Sequence, residues 1–281
     1  PHLLRTIHDP PAVLYSLGDF SIVQRAAIAI VGARRATVYG RQVTQKLARE
    51  LAATGLVVVS GLARGVDSHA HVGALETGGK TVAVMGNGVD LAYPRENRKL
   101  YERIREKGCI VSEFPVGSFP APQNFPIRNR IISGLSYGTL IVEAAEFSGS
   151  LITARLTLEQ NRELWAVPGN ITRPGSYGPN YLIKQGARIV LDRQDILEGM
   201  PLYVLDQLRI AAEPAESKPG KAELPPEEES VFAALPIDAS ISFDALLERS
   251  KLNLPQLNQC LLRLEMKGLI RQLPGRRYCR V

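Results

Sequence analysis

The chain has 281 residues, 45% hydrophobic and 22% charged, which excludes a disordered or fibrous protein and allows one large α/β domain with a small appendage. Lysine and arginine number 34 against 28 acidic residues, and the net charge of +6 is compatible with a polyanionic partner. The widely spaced Cys109, Cys260 and Cys279, without a CxxC motif or a histidine cluster, disfavour a disulfide framework and a zinc site.

The sequence contains no run of 18 apolar residues and no charged-then-apolar leader. Membrane insertion and secretion are therefore disfavoured. Together with the cysteine usage, this favours a reducing, cytoplasmic location.

From Ala27 to about Met200, short apolar runs alternate with stretches of helical periodicity. The runs are β-branched without a two-residue alternation, as is typical of parallel strands buried on both faces. We predict a Rossmann-like, doubly wound, mostly parallel α/β sheet over residues 1–210, with an N-terminal extension over 1–26. The predicted strands are Ile28–Val31, Leu56–Ser60, Thr81–Met85, Cys109–Ser112, Thr139–Val142, Leu164–Val167 and Ala187–Leu191. The predicted helices are Tyr39–Thr54, Val66–Thr77, Glu96–Lys107, Arg128–Leu135, Ser150–Asn161 and Asn180–Gln185.

Three glycine-containing turns, 30–35, 59–65 and 147–150, each lead into a predicted helix, and the first two directly follow a predicted strand. A strand that turns through glycine into a helix directs unpaired backbone N–H groups and the positive end of the helix dipole at one place. Ligands of such sheets bind beyond the carboxyl ends of the strands. These turns, two of them with neighbouring arginines, therefore predict a site for a chain of phosphates.

The Pro-rich stretch 211–226 is predicted to be an extended linker. Beyond it we predict a winged-helix domain over 227–281, built from three helices and a β-hairpin. The predicted helices are Glu227–Leu235, Phe243–Ser250 and Leu254–Lys267, and the hairpin strands are Ile270–Leu273 and Arg277–Val281.

The third of these helices has a plausible capping pair in Asn253 and Gln256. Its buried stripe is predicted to be Leu254, Leu257, Leu261 and Leu264. Residues 263–280 carry six basic side chains against Glu265, so this end of the chain either contacts nucleic acid or presents a solvated face of a protein-docking module.

The ordered set of motifs resembles the DprA/Smf family of bacterial DNA-processing proteins. It covers essentially all of Leu3–Leu191, and the C-terminal part resembles the family's optional C-terminal domain. The matching stretches are Ile30–Gly40, Ser60–Asp67, Tyr93–Asn97, Phe125–Ser136, Val142–Ala145, Ser148–Arg155, Val167–Gly169 and Leu182–Ala187.

The resemblance implies a non-enzymatic protein with no cofactor, no metal and no catalytic residue. It implies binding of single-stranded DNA without strong sequence preference, a homodimer, and loading of the RecA recombinase during natural transformation. Backbone amides and arginines at strand ends agree with this chemistry.

Two other functions stay open. One is a nucleotide-processing enzyme of related fold, such as a nucleotide phosphoribohydrolase, although both the dinucleotide fingerprint after the first strand and a Pro-Gly-Gly-x-Gly-Thr turn are missing. The other is a protein adaptor whose sheet binds no ligand.

The expected DNA contacts are Gly32, Arg34, Arg35, Ser60, Gly61, Arg64, Arg128, Asn129, Arg130, Phe147, Ser148, Gly149 and Ser150. Arg34 comes first because it matches the family's DNA-binding arginine; the alternative is a surface arginine paired with an acid. Gly32, Ser60 and Gly61 either let the backbone approach DNA or form tight turns. Arg64 either lines the same groove or caps a neighbouring loop.

Arg128, Asn129 and Arg130 are expected at the start of a helix, where each arginine opposes the helix dipole by roughly a few tenths of a kcal/mol. An anionic ligand or acidic partners would offset that cost. Ser148, Gly149 and Ser150 can donate hydrogen bonds to a phosphate, and a serine there can also cap the following helix.

Two positions depart from the family pattern. Phe147 replaces a residue that is often basic in the family. Three consequences are open: a phosphate contact is lost, a base stacks on the ring, or the ring packs in the core. Pro179 stands where the family usually has Ser or Thr, and it removes a donor from that turn.

The remaining candidates receive structural roles. His69 and His71 lie two apart on a predicted helix and cannot share a metal, so we expect one core and one surface histidine. Asp67 is expected to start that helix. Glu143 and Glu146 have no partner base or nucleophile, and we assign them no catalysis.

Overall fold

The structure, a computed structural model, describes residues 1–212, 225–235, 241–250, 252–266, 269–273 and 275–280. The chain forms two compact units, Pro1–Glu213 and Pro214–Val281. Within the described residues, no helix is long and apolar enough to cross a bilayer.

The first unit is built on an eight-stranded sheet with the order β1-β5-β4-β3-β2-β6-β7-β8. Its strands are β1 Tyr15–Gly18, β2 Ala27–Val31, β3 Val57–Ser60, β4 Thr81–Val84, β5 Cys109–Ser112, β6 Gly138–Ile141, β7 Glu163–Ala166 and β8 Arg188–Ile189. Every pair is parallel except β1 with β5. The predicted doubly wound, mostly parallel sheet is confirmed, and the chain reverses its winding direction between β2 and β6.

Helices cover the sheet of the first unit. They are α1 His2–Arg5, α2 Val38–Ala53, α3 Val66–Glu76, α4 Arg98–Lys107, α5 Asn124–Gly134, α6 Gly149–Glu159, α7 Tyr177–Lys184, α8 Arg193–Leu197 and α9 Leu202–Ala212. Along β2, Ala27, Ala29 and Val31 belong to one buried apolar cluster and Ile28 and Ile30 to another. Both faces of this strand are therefore in the core, which explains its apolar run without alternation.

The structure corrects several predicted boundaries. The N-terminal extension contains β1, which pairs antiparallel with β5 at the sheet edge. Helix α5 begins four residues before the predicted Arg128, with Pro126 in its first turn, where a missing N–H is tolerated. The last predicted strand shrinks to the two residues of β8. Ala211 and Ala212, predicted as linker, end helix α9, and linker residues 213–224 lie outside the described residues.

The second unit contains three helices and a small antiparallel sheet with the order β10-β11-β9. Its elements are α10 Pro226–Ala234, β9 Ile241–Ser242, α11 Phe243–Ser250, α12 Leu254–Met266, β10 Ile270–Leu273 and β11 Arg277–Arg280. The predicted winged-helix arrangement is confirmed.

Helix α12 has the predicted cap. The Gln256 backbone N–H donates to Asn253 Oδ1 at 3.0 Å, and Gln256 Oε1 accepts from the Asn253 backbone N–H at 3.2 Å. Leu257, Leu261 and Leu264 are buried as predicted, whereas Leu254 in the first turn is 54% exposed.

Two of the basic residues near the C-terminus contact other groups of the same unit. Arg263 lies 3.7 Å from the buried Glu228 carboxylate, and the Arg276 guanidinium stacks 5.4 Å from the centroid of the Phe243 ring. Lys267 lies outside the described residues.

His71 is the predicted core histidine of α3, whereas His69 is half-buried rather than on the surface. The Thr81 hydroxyl donates to Val58 O at 2.6 Å, so the 2.7 Å contact between Thr81 Oγ1 and His71 Nδ1 requires the proton on Nδ1. His71 Nε2 is buried without a hydrogen-bond partner. Burial, and then the Arg128 charge, lower the pKa of His71 from 6.5 to about 3.

The folded protein should lose stability on acidification because of His71. In the unfolded chain the imidazole binds a proton near its ordinary pKa of 6.5, but in the folded chain only near about 3, so stability falls as the pH drops through that window. Between about pH 7 and about pH 5, this group should lower the free energy of unfolding by about 2 kcal/mol. Urea denaturation at both pH values should show that His71→Gln is destabilised less at the lower pH than at the higher.

The control for this experiment is His8→Gln, at an exposed histidine. Its effect should be small and the same at both pH values. An equal loss of stability in His71→Gln at both pH values would contradict the role given to the buried imidazole.

Candidate nucleic-acid interface

A cleft of about 880 Å³ opens where β2 and β6 end, at the point where the winding direction reverses. The loop after β2, the start of α5 and the loop between β6 and α6 form its walls. Of the predicted contacts, it is lined by Gly32, Arg34, Arg35, Arg128, Asn129, Phe147, Ser148, Gly149 and Ser150. Ligands of doubly wound sheets bind at this position.

The N-terminus of α2 is already occupied by a carboxylate of the protein. The backbone N–H and the hydroxyl of Thr37 donate to the buried Glu143 carboxylate at 2.9 and 2.5 Å. The Thr37 hydroxyl also caps the Gly40 N–H. The expectation that the first glycine turn offers this helix end to phosphate is therefore wrong, because Glu143 already complements its positive dipole.

Helix α3 is preceded by a loop that is closed by one of the helix's own carboxylates. Asp67 lies in its first turn, as predicted, and Oδ2 accepts from the backbone N–H groups of Gly61 and Ala63 at 3.1 and 3.4 Å. This second glycine turn thus closes on a carboxylate of its own helix.

The N-terminus of α6 faces the cleft, and no carboxylate of the described residues accepts from its N–H groups, although the exposed Glu146 lines the same cleft two residues before the N-cap. Ser148 is its N-cap and accepts from the Ser150 N–H at 3.4 Å, while the two hydroxyl oxygens lie 2.7 Å apart. A Cβ added at Gly149 would meet nothing within 4 Å, so the backbone there is open. The serine cap and a free N-terminal turn coexist, and this turn is suited to an anion.

The glycines of the first two turns are required by packing. A Cβ at Gly32 would lie 2.7 Å from Val66 Cγ2 and 2.9 Å from Glu143 O. At Gly61 it would lie 2.6 Å from Asp67 Oδ2 and 2.7 Å from both Nη atoms of Arg128. Both residues are needed for close internal contacts, although Gly32 still lines the cleft.

Two exposed arginines lie at the cleft wall, Arg34 and Arg35. The Arg34 guanidinium lies 5.5 Å from the centroid of the Phe125 ring. That contact orients the cation without neutralising it. Phe125 is a lining residue that the sequence analysis did not single out, although it stands in the quoted motif beside Pro126.

Arg128 lines the cleft but is buried. It was predicted at the start of a helix, but it lies inside α5. Its Nη1 donates to Gly61 O at 2.9 Å and to Val84 O, joining the loop after β3 and the end of β4 to α5. Burial lowers the pKa of Arg128 to about 10, so the side chain stays charged near neutral pH. Burial raises the pKa of Asp67, and the Arg128 charge opposes that rise.

Several expected contacts do not line this cleft. The buried Ser60 hydroxyl donates to Ile30 O at 2.7 Å. Arg130 binds Asp9 at 2.9 Å and both carboxylate oxygens of Glu113 at 2.7 and 2.8 Å, so acidic partners rather than an anion explain it. Arg64 pairs with Glu96 and, with Gly61, borders a smaller neighbouring pocket.

Asn129 and Phe147 complete the cleft. Asn129 Nδ2 donates to Gly149 O at 3.4 Å and so joins α5 to the open turn of α6. Phe147 is 95% exposed, which excludes the core-packing alternative. Tyr177 also lines the cleft and was not predicted. Pro179 lies in the first turn of α7, where a missing N–H costs little.

A family model described as DNA recombination-mediator protein A matches residues 1–201, and the DprA winged helix domain matches residues 214–276. The chain belongs to the DprA/Smf family. The resemblance drawn from the motifs is thereby confirmed.

Curated relatives extend the match over most of the chain. Protein Smf of Escherichia coli (strain K12) is 41% identical over 287 residues, covering 100% of this chain and 76% of that protein. DNA processing protein DprA of Bacillus subtilis (strain 168) is 44% identical over 202 residues, covering 72% and 68%.

Two solved structures share the fold. The X-ray structure of DprA from Streptococcus pneumoniae has a TM-score of 0.69 at 38% identity, covering 72% of this chain and 71% of that one. A structure concerned with the single-stranded DNA binding mode of DNA processing protein A from Helicobacter pylori has a TM-score of 0.66 at 35% identity, covering 70% and 91%.

Replacing Arg128 should destabilise the first unit strongly. Arg128→Met removes two hydrogen bonds to buried carbonyl groups and the cation nearest the buried Asp67, so we expect a loss of about 3 kcal/mol in the free energy of unfolding. Arg155→Met is the matched control, because Arg155 is exposed on α6 and pairs only with Glu159 among the described residues. It should cost about 0.5 kcal/mol or less. Similar losses in both variants on urea denaturation would contradict this account of Arg128.

Proposed function

We propose that this chain binds single-stranded DNA without sequence specificity, through its phosphates, in the cleft between the ends of β2 and β6. The observation that carries the proposal is the open N-terminal turn of α6 opposite two exposed arginines. Gly149 leaves the backbone accessible there, and Arg34 and Arg35 supply charge. Backbone amides and arginines hold phosphates without reading bases.

The internal carboxylates strengthen the proposal. Glu143 accepts from Thr37 at the start of α2, and Asp67, which also lines the cleft, accepts from the loop after β3, so both carboxylates are already hydrogen-bonded within the protein. Membership of the DprA/Smf family and the single-stranded DNA binding described for the Helicobacter pylori protein support the same function. We propose a binding role without catalysis.

Arg34→Ala should weaken the binding of a fluorescent oligothymidylate by about ten-fold, because one charge-assisted phosphate contact is lost. The dependence of log K on log salt concentration should become shallower by about 0.7, the value for one phosphate of a single strand. Fluorescence anisotropy over a series of salt concentrations measures both quantities.

Arg155→Ala is the control, since this exposed arginine of α6 does not line the cleft. Its affinity and salt slope should match the wild type. An unchanged slope in Arg34→Ala would count against the assigned site. A competing duplex of the same length should bind more weakly if the unpaired strand is the ligand.

We also propose a homodimer and loading of RecA, both motivated by the family resemblance. The edge strand β8, in which Ile189 is 46% exposed, and the nearby Leu191, 71% exposed, form a surface that can pair with a second copy. Light scattering at micromolar concentration should give twice the monomer mass, and a monomer would exclude the dimer. Faster RecA assembly on DNA covered with single-strand-binding protein would support loading, and an unchanged rate would exclude it.

A further inference from the structure

Three exposed aromatic side chains form a surface beside the cleft, which we call the aromatic shelf: Phe147, Tyr177 and Tyr181. Their exposed fractions are 95%, 46% and 48%. Tyr177 and Tyr181 lie one turn apart on α7, and their rings are parallel within 3° with centroids 6.0 Å apart. The shelf thus offers a solitary ring and a stacked pair to solvent.

The shelf is physically continuous with the cleft. Phe147 and Tyr177 both line it. The Ala144 backbone donates to Gly175 O at 2.7 Å and accepts from the Gly178 N–H at 2.8 Å. These two bonds fix the start of α7 to the loop that carries Phe147, so the rings are held on a common wall.

Packing within the protein does not explain Phe147. It precedes the N-cap Ser148, and an apolar residue at that position ordinarily packs on the fourth helical residue, here Ile152. Its 95% exposure shows that this contact is not made. A phenylalanine with no packing partner inside the fold is free to contact a ligand.

We infer that the aromatic shelf stacks the nucleobases of the strand whose phosphates occupy the cleft. This inference rests on the proposed function. With the backbone held at Arg34 and the first turn of α6, the bases lie within reach of Phe147 and Tyr177 on the lining and of Tyr181, which stacks beside Tyr177. Every base has a π-face, so such stacking adds affinity without choosing a sequence.

The test compares oligothymidylate with an oligonucleotide of the same length made of abasic sites, which keeps the phosphates but lacks the bases. The full chain should bind the base-bearing strand about ten-fold more tightly than the abasic one, with similar salt slopes. Phe147→Ala and Tyr177→Leu should each reduce this ratio several-fold by weakening only the base-bearing strand. Phe147→Trp should keep it.

Tyr203→Leu is the matched control, because Tyr203 is an exposed tyrosine of α9 that contacts Tyr137. Tyr137 directly precedes β6, whereas the cleft lies where β6 ends. It should leave the ratio unchanged. In Phe147→Trp the new indole should be quenched by the base-bearing strand and much less by the abasic one, against the constant background of the buried Trp165.

The outcomes separate the two proposals. Equal, salt-sensitive affinity for both oligonucleotides overturns the shelf and leaves phosphate binding in place. The inference about the shelf is also overturned if Phe147→Ala and Tyr177→Leu leave the ratio of the two affinities unchanged. Binding of neither oligonucleotide overturns the shelf and the proposed function together.

Discussion

The buried charges at the carboxyl edge of the sheet determine how the rest of the first unit is built. Glu143 accepts from Thr37 at the start of α2, and Asp67 holds the loop after β3 that leads into α3. Arg128 joins that loop and the end of β4 to α5. Each charge is buried, so each needs the hydrogen bonds that it makes. The loops around the cleft are consequently fixed by bonds of the protein itself.

This arrangement separates two uses of one motif. A glycine turn that begins a helix can bind an anion, but it can equally bind a carboxylate of the same chain. In this protein the turns at Gly32 and Gly61 each lie against a carboxylate of the chain. Of the three turns, only the one at Ser148 and Gly149 stays open. The two exposed arginines of the cleft, Arg34 and Arg35, outnumber its one exposed acid, Glu146, and a single open helix end, rather than three converging ones, faces it.

Much of the fold followed from the sequence. Apolar runs such as the one in β2 gave the parallel sheet, because burial on both faces removes alternation. Glycine turns located the cleft, since the carboxyl ends of the strands share one edge. The short β1 and the start of α5 were missed or misplaced, because a four-residue antiparallel edge strand and a proline in a first turn give weak local signals.

The individual site residues were harder to predict, because tertiary partners decide them. Arg128 and Arg130 are nearly adjacent in sequence, yet one binds backbone carbonyl groups and the other binds Asp9 and Glu113. These partners lie far away in the chain and leave no local pattern. Tyr177 and Phe125 were overlooked because an aromatic residue in a sequence more often indicates a buried core position than a position on the wall of a cleft.

The open surroundings of Gly149 have an evolutionary consequence. Gly32 and Gly61 are constrained by folding, since any larger residue collides with the protein itself. At Gly149 the fold imposes no such steric limit, and selection there would act through the ligand alone. A substitution at Gly149 can thus change the affinity for a ligand without disturbing the packing of the scaffold.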